Sequence, residues 1–154
     1  WVTLGATFCL FPLTYVCGAL SDRYGRRPVV LAGLLLGAAS IIPVYAGLAL
    51  VAHQPLLVFA LLVIPVLAVA LVTGPQTAML SELFPARTRY TAVGLPHNLA
   101  AGWIGGLSPY MVTLIAGQTG SVLLGLAYPT ALLCLALVVG WFFLPETRGA
   151  DLRV

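Results

Sequence analysis

The chain has 154 residues, 61% of them hydrophobic and only 7% charged, with a formal net charge of +3 and a mean hydropathy of +1.07. That composition leaves too little polar surface for a water-soluble globule and reads as an integral membrane protein. Its seven basic residues are all arginine, and with its four acids they fall only within 22–27, within 82–89 or beyond 145.

A charge in the centre of a bilayer costs about 2.5–3.5 kcal/mol on insertion scales, so ionisable residues collect at the ends of spans. Here they collect at every second end. The stretches at 50–56 and 117–121, without Lys or Arg, therefore lie on the opposite face. The excess of arginine assigns its own face to the cytoplasm of a cell (plasma) membrane. A hydrocarbon layer of roughly 30 Å takes about 20 helical residues, and that ruler predicts five spans, at 2–18, 29–49, 56–80, 92–116 and 121–144. The runs are long and uniformly apolar, unlike the short alternating segments of a β-barrel. The predicted fold class is an all-α, multi-pass helical bundle, with residues 1–145 as one partial bundle and 146–154 as a cytoplasmic tail.

The chain opens at Trp1 already inside apolar sequence, without a basic n-region or a small-residue cleavage site, so its start reads as a span of a longer polypeptide and not as a signal peptide. Span one contains Pro12, Thr14 and Tyr15. Cys9, Cys17 and Cys134 are odd in number and fall within spans, which reads as buried thiols and not as a disulfide framework or a metal site. The segment GALSDRYGRRP, from Gly18 to Pro28, then forms a tight turn. Gly18 permits close helix contact, Gly25 supplies a left-handed turn, Asp22 accepts hydrogen bonds or faces a helix N-terminus, and Arg23, Arg26 and Arg27 hold the loop on its side.

Span two carries Gly33 and Gly37 followed by Ser40, and span four carries Gly102 and Gly106. Small residues four apart let helix backbones approach, so both sets predict packing seams. Pro28 and Pro145 punctuate a span start and a span end, whereas Pro12, Pro43, Pro65, Pro75, Pro96, Pro109 and Pro129 lie inside spans and favour kinks.

Polar side chains within spans are few. Thr73, Gln76 and Thr77 share a face of span three, and His97 with Asn98 sits at a comparable depth in span four, so the two sets could face each other across a cavity. With Tyr15 they are the candidate contacts for a small polar solute: Gln76, Thr77, Asn98, His97 and Tyr15. The amides could instead bond to neighbouring helices, the threonine hydroxyls to their own backbone, and His97 could be a polar packing residue in place of a proton carrier. No Asp or Glu lies within a predicted span.

The Gly18–Pro28 segment resembles the loop motif that recurs once in each half of the twelve-helix major facilitator superfamily transporters. The segments SELFPARTRYTAVG (Ser81–Gly94) and LPETRG (Leu144–Gly149) are similar to patterns in the C-terminal half of that superfamily. The run ELFPARTRY followed by GLPHNLAAG most resembles the metabolite:proton symporter family, and sugar porters share the ELFP and PET elements. The family's usual GYNLA is PHNLA here, a departure at Pro96 and His97 that bears on substrate identity.

The resemblance implies a truncated twelve-helix transporter fold in which these spans are helices eight to twelve. The N-terminal half would be the missing partner and the chain would not transport alone. It implies a cytoplasmic gate of Asp22, Arg26, Glu82, Arg89 and Glu146, whose contacts break when the cavity opens inward. It also implies symport of a small polar or carboxylate solute with protons, the coupling carboxylate belonging to the missing half. The alternatives are a sugar-porter-type carrier or a non-transporting membrane scaffold. Nothing resembles an enzyme's paired carboxylates or nucleophile, no cofactor or metal site is expected, and topology accounts for the arginines without nucleic acid.

Overall fold

The computed structural model describes residues 1–83 and 89–146, apart from the side chains at positions 81, 83, 89, 90, 92 and 96. Among the described residues all regular structure is helical. Five stretches are long and apolar enough to cross a membrane: Val2–Tyr24, Arg26–Val51, Pro55–Leu80, Val93–Thr119 and Val122–Phe143. The first runs past the predicted end at residue 18, because backbone hydrogen bonding continues through the polar turn to Gly25, whose N–H donates to the Ser21 carbonyl. Gly25 has φ of +110° and ends that helix while opening the next. Hydropathy marks where the apolar layer stops, and the helix stops only where the backbone is turned.

Helices α1 (Val2–Phe8) and α2 (Leu10–Tyr24) form span one, interrupted at Cys9. Helices α7 (Val122–Gly125) and α8 (Ala127–Phe143) form span five, interrupted at Leu126. Each break comes just ahead of a proline: Pro12 has no N–H for the Phe8 carbonyl and Pro129 none for Gly125. Pro43 in α3 (Arg26–Val51), and Pro65 and Pro75 in α4 (Pro55–Leu83), sit in uninterrupted helices. A helix break thus accompanies Pro12 and Pro129 but not these three, and Pro96 lies outside the described side chains. Span four is built from α5 (Arg89–Leu99), a π-helical turn (Ala100–Gly105) and α6 (Gly106–Thr119). Its wide turn ends at Gly105, whose carbonyl has no donor at Pro109, and the Gly106 N–H reaches back five residues to Ala101.

Helix α3 is the hub of the bundle, packed along α4, α2 and α8, while α4 also packs on α1 and α2. The seams are made where side chains are small. A Cβ on Gly33 would lie 2.8 Å from Leu71 Cβ and 3.0 Å from the Ala68 carbonyl of α4, and one on Gly37 would lie 3.4 Å from Leu133 of α8. Ser40 is buried and returns its hydroxyl to the Gly37 carbonyl. The Gly33–Gly37–Ser40 ridge therefore serves two neighbours. A tighter crossing joins α2 to α4, where a Cβ on Gly74 would stand 2.8 Å from the Gly18 amide nitrogen and 2.9 Å from the Thr14 carbonyl. Gly125 meets the Val112 backbone in the same manner between α7 and α6.

Among the described residues the seam expected at Gly102 and Gly106 does not form. No atom comes within 4 Å of a Cβ on Gly102, and one on Gly106 meets only the Ala101 carbonyl of its own helix. Among the described residues the π turn packs on no other span, and α6 engages α7 and α8 beyond it. Span four has none of its most apolar window buried. Large apolar side chains such as Phe8, Phe11, Leu35, Leu50 and Phe143 are exposed around the bundle, the surface of a molecule solvated by hydrocarbon or by further helices.

Candidate functional site

The turn at Gly25 brings the ends of three spans together around one guanidinium. Arg26, in the first turn of α3, donates from Nη2 to Glu82 Oε1 at 2.9 Å and from Nε to Glu82 Oε2 at 3.3 Å, a forked pair with the last turn of α4. Its Nη1 donates to Ser21 Oγ at 2.8 Å and to Asp22 Oδ1, which is also its ion pair one turn back. The Arg26 and Glu82 side chains are only 12% and 15% exposed. An ion pair this far from water is costly to break by removing one partner, by about 3–5 kcal/mol where burial is complete.

Glu146 completes the cluster from the other end of the chain. Its Oε1 accepts from the Arg26 backbone N–H at 2.8 Å and its Oε2 from the Arg27 backbone N–H at 3.2 Å. The first amides of a helix have no internal partner and carry the positive end of the helix dipole, so a carboxylate is favoured there. Glu146 follows the C-terminus of α8, where that helix's own dipole disfavours an anion. The structure instead carries it beyond Phe143 to cap α3, the task the sequence offered to Asp22. Gly25 makes room for it, since a Cβ there would lie 2.6 Å from Glu146 Oε2. Arg27 extends the same tie, its Nη2 donating to the Trp141 carbonyl at 2.5 Å.

Asp22, Arg26, Glu82 and Glu146 are thus neighbours, and the fifth expected member, Arg89, lies outside the described side chains. Two participants escaped the sequence reading. Ser21, fully buried, donates a hydrogen bond from its hydroxyl to the Gly18 carbonyl at 2.7 Å and accepts one from Arg26. Gly74 was hidden beside Pro75, and its signal was the smallness of a residue facing Gly18.

The expected solute contacts are dispersed. Tyr15, 81% exposed, lines an open groove of about 680 Å³ with Leu10, Phe11, Thr14, Gly18 and Gly74, which ends at Asp22. Asn98 lines a separate groove of about 460 Å³ on span four with Trp103 and Leu107. Neither groove includes Gln76, Thr77 or His97. Among the described residues spans three and four meet only where α5 approaches α4, and the two polar sets do not enclose a common cavity. Gln76 is half-buried, and Thr77 and His97 are exposed. The Asn98 amide donates to the Gly94 carbonyl of its own helix at 2.8 Å, and the hydroxyls of Thr14 and Thr73 go to Leu10 and Val69 one turn back. No group of three His, Cys, Asp or Glu side chains able to hold a metal occurs among the described residues.

Residues 1–153 match the family profile described as sugar (and other) transporter. An inner membrane metabolite transport protein of Escherichia coli is 30% identical over 99% of this chain and 34% of its own length. A citrate-proton symporter of Klebsiella pneumoniae is 34% identical over 77% of this chain and 27% of its own. A shikimate transporter of Escherichia coli is 34% identical over 71% and 26%. The chain therefore spans about a third or less of the curated relatives it matches. No solved structure gives a significant match.

Proposed function

Because this chain belongs to the sugar (and other) transporter family of the major facilitator superfamily, we propose that it forms the C-terminal spans of a secondary transporter. The cargo is a small polar or carboxylate metabolite moved by proton symport, and a central site is exposed alternately to each face. The five spans act as helices eight to twelve and rock against a bundle supplied by the rest of the transporter. The arginine-bearing loops and the tail face the cytoplasm of a plasma membrane. Relatives named for citrate and shikimate support a carboxylate cargo.

The observation that carries this reading is the set of contacts on Arg26 and its backbone N–H, which ties α2, α3, α4 and the Glu146 segment into one latch. Helix ends so joined cannot separate without breaking several charged hydrogen bonds together, which makes two discrete arrangements instead of a continuum. Asp22, Arg26, Glu82, Arg89 and Glu146 form the gate in this proposal. Tyr15, in the groove that reaches Asp22, is the solute contact best supported by position, with Gln76, Thr77, His97 and Asn98 joining when the second bundle closes over them.

The test is uptake of radiolabelled citrate, shikimate, proline, betaine and a hexose by cells expressing the complete transporter, with and without an imposed proton gradient. Gradient-driven uptake of a carboxylate is expected, and Arg26→Ala is expected to lower the maximal rate about tenfold or more with little change in apparent affinity. Uptake of the hexose alone would replace the cargo. Uptake of nothing in the panel would favour a scaffold that uses these spans only for packing.

A further inference from the structure

Beside the charged latch, on the outer flank of α3 and α8, runs a cleft of about 730 Å³ that none of the preceding roles uses. Its walls are Pro28, Leu31, Leu35, Leu137, Val138 and Phe142, and at its mouth stand Arg27 and Trp141. The floor is closed where Gly140 admits Leu31, to which a Cβ would stand at 3.2 Å. The wall on α3 runs from Pro28 to Leu35, roughly 10 Å along the helix axis at 1.5 Å per residue.

The cleft is apolar along its depth and cationic at one end only. Arg27 is held there by its bond to the Trp141 carbonyl, which uses one of the five N–H donors of a guanidinium. Among the described residues no carboxylate pairs with the Arg27 side chain: Glu82 and Asp22 bond Arg26, and Glu146 accepts from the Arg26 and Arg27 backbone N–H groups. A guanidinium with donors to spare, an indole at the same level and a hydrocarbon-lined slot leading inward make the profile of an amphiphile with a negative head. A neutral apolar helix would leave Arg27 unmatched.

We propose that this cleft binds an anionic phospholipid from the leaflet on the arginine side, with one acyl chain between α3 and α8 and the phosphate on Arg27. The site lies beside the Arg26 latch and shares Arg27 and the first turn of α3 with it, so the lipid bears on the same helix end.

The probe is fluorescence quenching in vesicles that hold the complete protein with Trp141 as its single tryptophan. Brominated phosphatidylglycerol or brominated phosphatidylcholine is added at low mole fraction. Phosphatidylglycerol is expected to quench Trp141 at about fivefold lower mole fraction than phosphatidylcholine, the selectivity that one basic residue gives at an anionic surface. Arg27→Gln is expected to abolish that preference, Arg27→Lys to keep most of it, and Ala32→Phe, at a residue of α3 that also lines the cleft and would fill it, to weaken quenching by both lipids. Equal quenching by the two head groups would overturn the proposal, as would selectivity that survives Arg27→Gln. Absence of quenching by either lipid would show the cleft covered by protein, such as residues 147–154, and would also overturn it.

Discussion

Gly25 shows how much one residue can be asked to do. Its φ of +110° is a backbone conformation that side-chain-bearing residues avoid, and the place where a Cβ would project is occupied by the Glu146 carboxylate. Gly25→Ala is expected to destabilise the protein by about 1–3 kcal/mol through backbone strain alone, with the displaced cap of α3 adding about 0.5–2 kcal/mol. Glu146→Ala should cost only the cap term. Because both substitutions destroy the same cap, the double variant should lose less than the two single losses added together. Thermal unfolding of the purified transporter in detergent would measure this, and strict additivity would mean that Glu146 does not cap α3. The sequence made the glycine, the aspartate and the arginines of this turn legible as a unit. It did not reveal which carboxylate would cap the helix, because Glu146 is 120 positions from Arg26 and only tertiary packing of α8 on α3 brings it there.

Among the helices, identical spacing had opposite outcomes. The ridge at Gly33 and Gly37 is filled by α4 and α8, whereas among the described residues Gly102 and Gly106 meet no neighbouring helix. Gly74, which has no glycine four residues away in its own helix, makes a close backbone crossing with Gly18. Gly74→Ala is therefore expected to push α2 from α4 and cost about 1–3 kcal/mol, the usual penalty of overpacking. Gly102→Ala should be neutral or stabilising by up to about 1 kcal/mol, since alanine is the better helix former and meets nothing. Detergent melting of the two variants separates the readings, and comparable losses at both sites would show that span four has a partner at Gly102. Prolines taught the same lesson. Pro12 and Pro129 break their helices while Pro43, Pro65 and Pro75 do not, so the missing N–H is a local fact whose consequence the neighbours decide.

At the scale of the molecule, α3 is the hub and span four the outlier, joined to the rest mainly through α6 against α7 and α8. The exposed apolar side chains along α1, α2 and span four fit the surface that a second bundle would cover in the proposed transporter. The topology itself is testable. In a background lacking Cys9, Cys17 and Cys134, single cysteines at Arg23 and Gly149 should react with a membrane-impermeant thiol reagent from one side, and cysteines at His53 and Gly120 from the other. Reaction of positions 23 and 53 from the same side would remove the second span, and with it the five-span layout.

The sequence alone determined the solvent, the number of apolar helices and the end of the bundle where the charges gather. Those follow from the energetic cost of ions and unpaired backbone in hydrocarbon, which acts on every residue without regard to its neighbours. The family resemblance grouped Asp22, Arg26, Glu82, Arg89 and Glu146, and the structure brings the first three and Glu146 together, Arg89 lying outside the described side chains. Only the tertiary structure decided that Arg26 pairs with Glu82, that Glu146 caps α3, that Gly74 meets Gly18, and that the polar groups of spans three and four stand apart. Those are contacts between distant parts of the chain, and their geometry depends on how far each helix is turned about its axis, which no local pattern specifies.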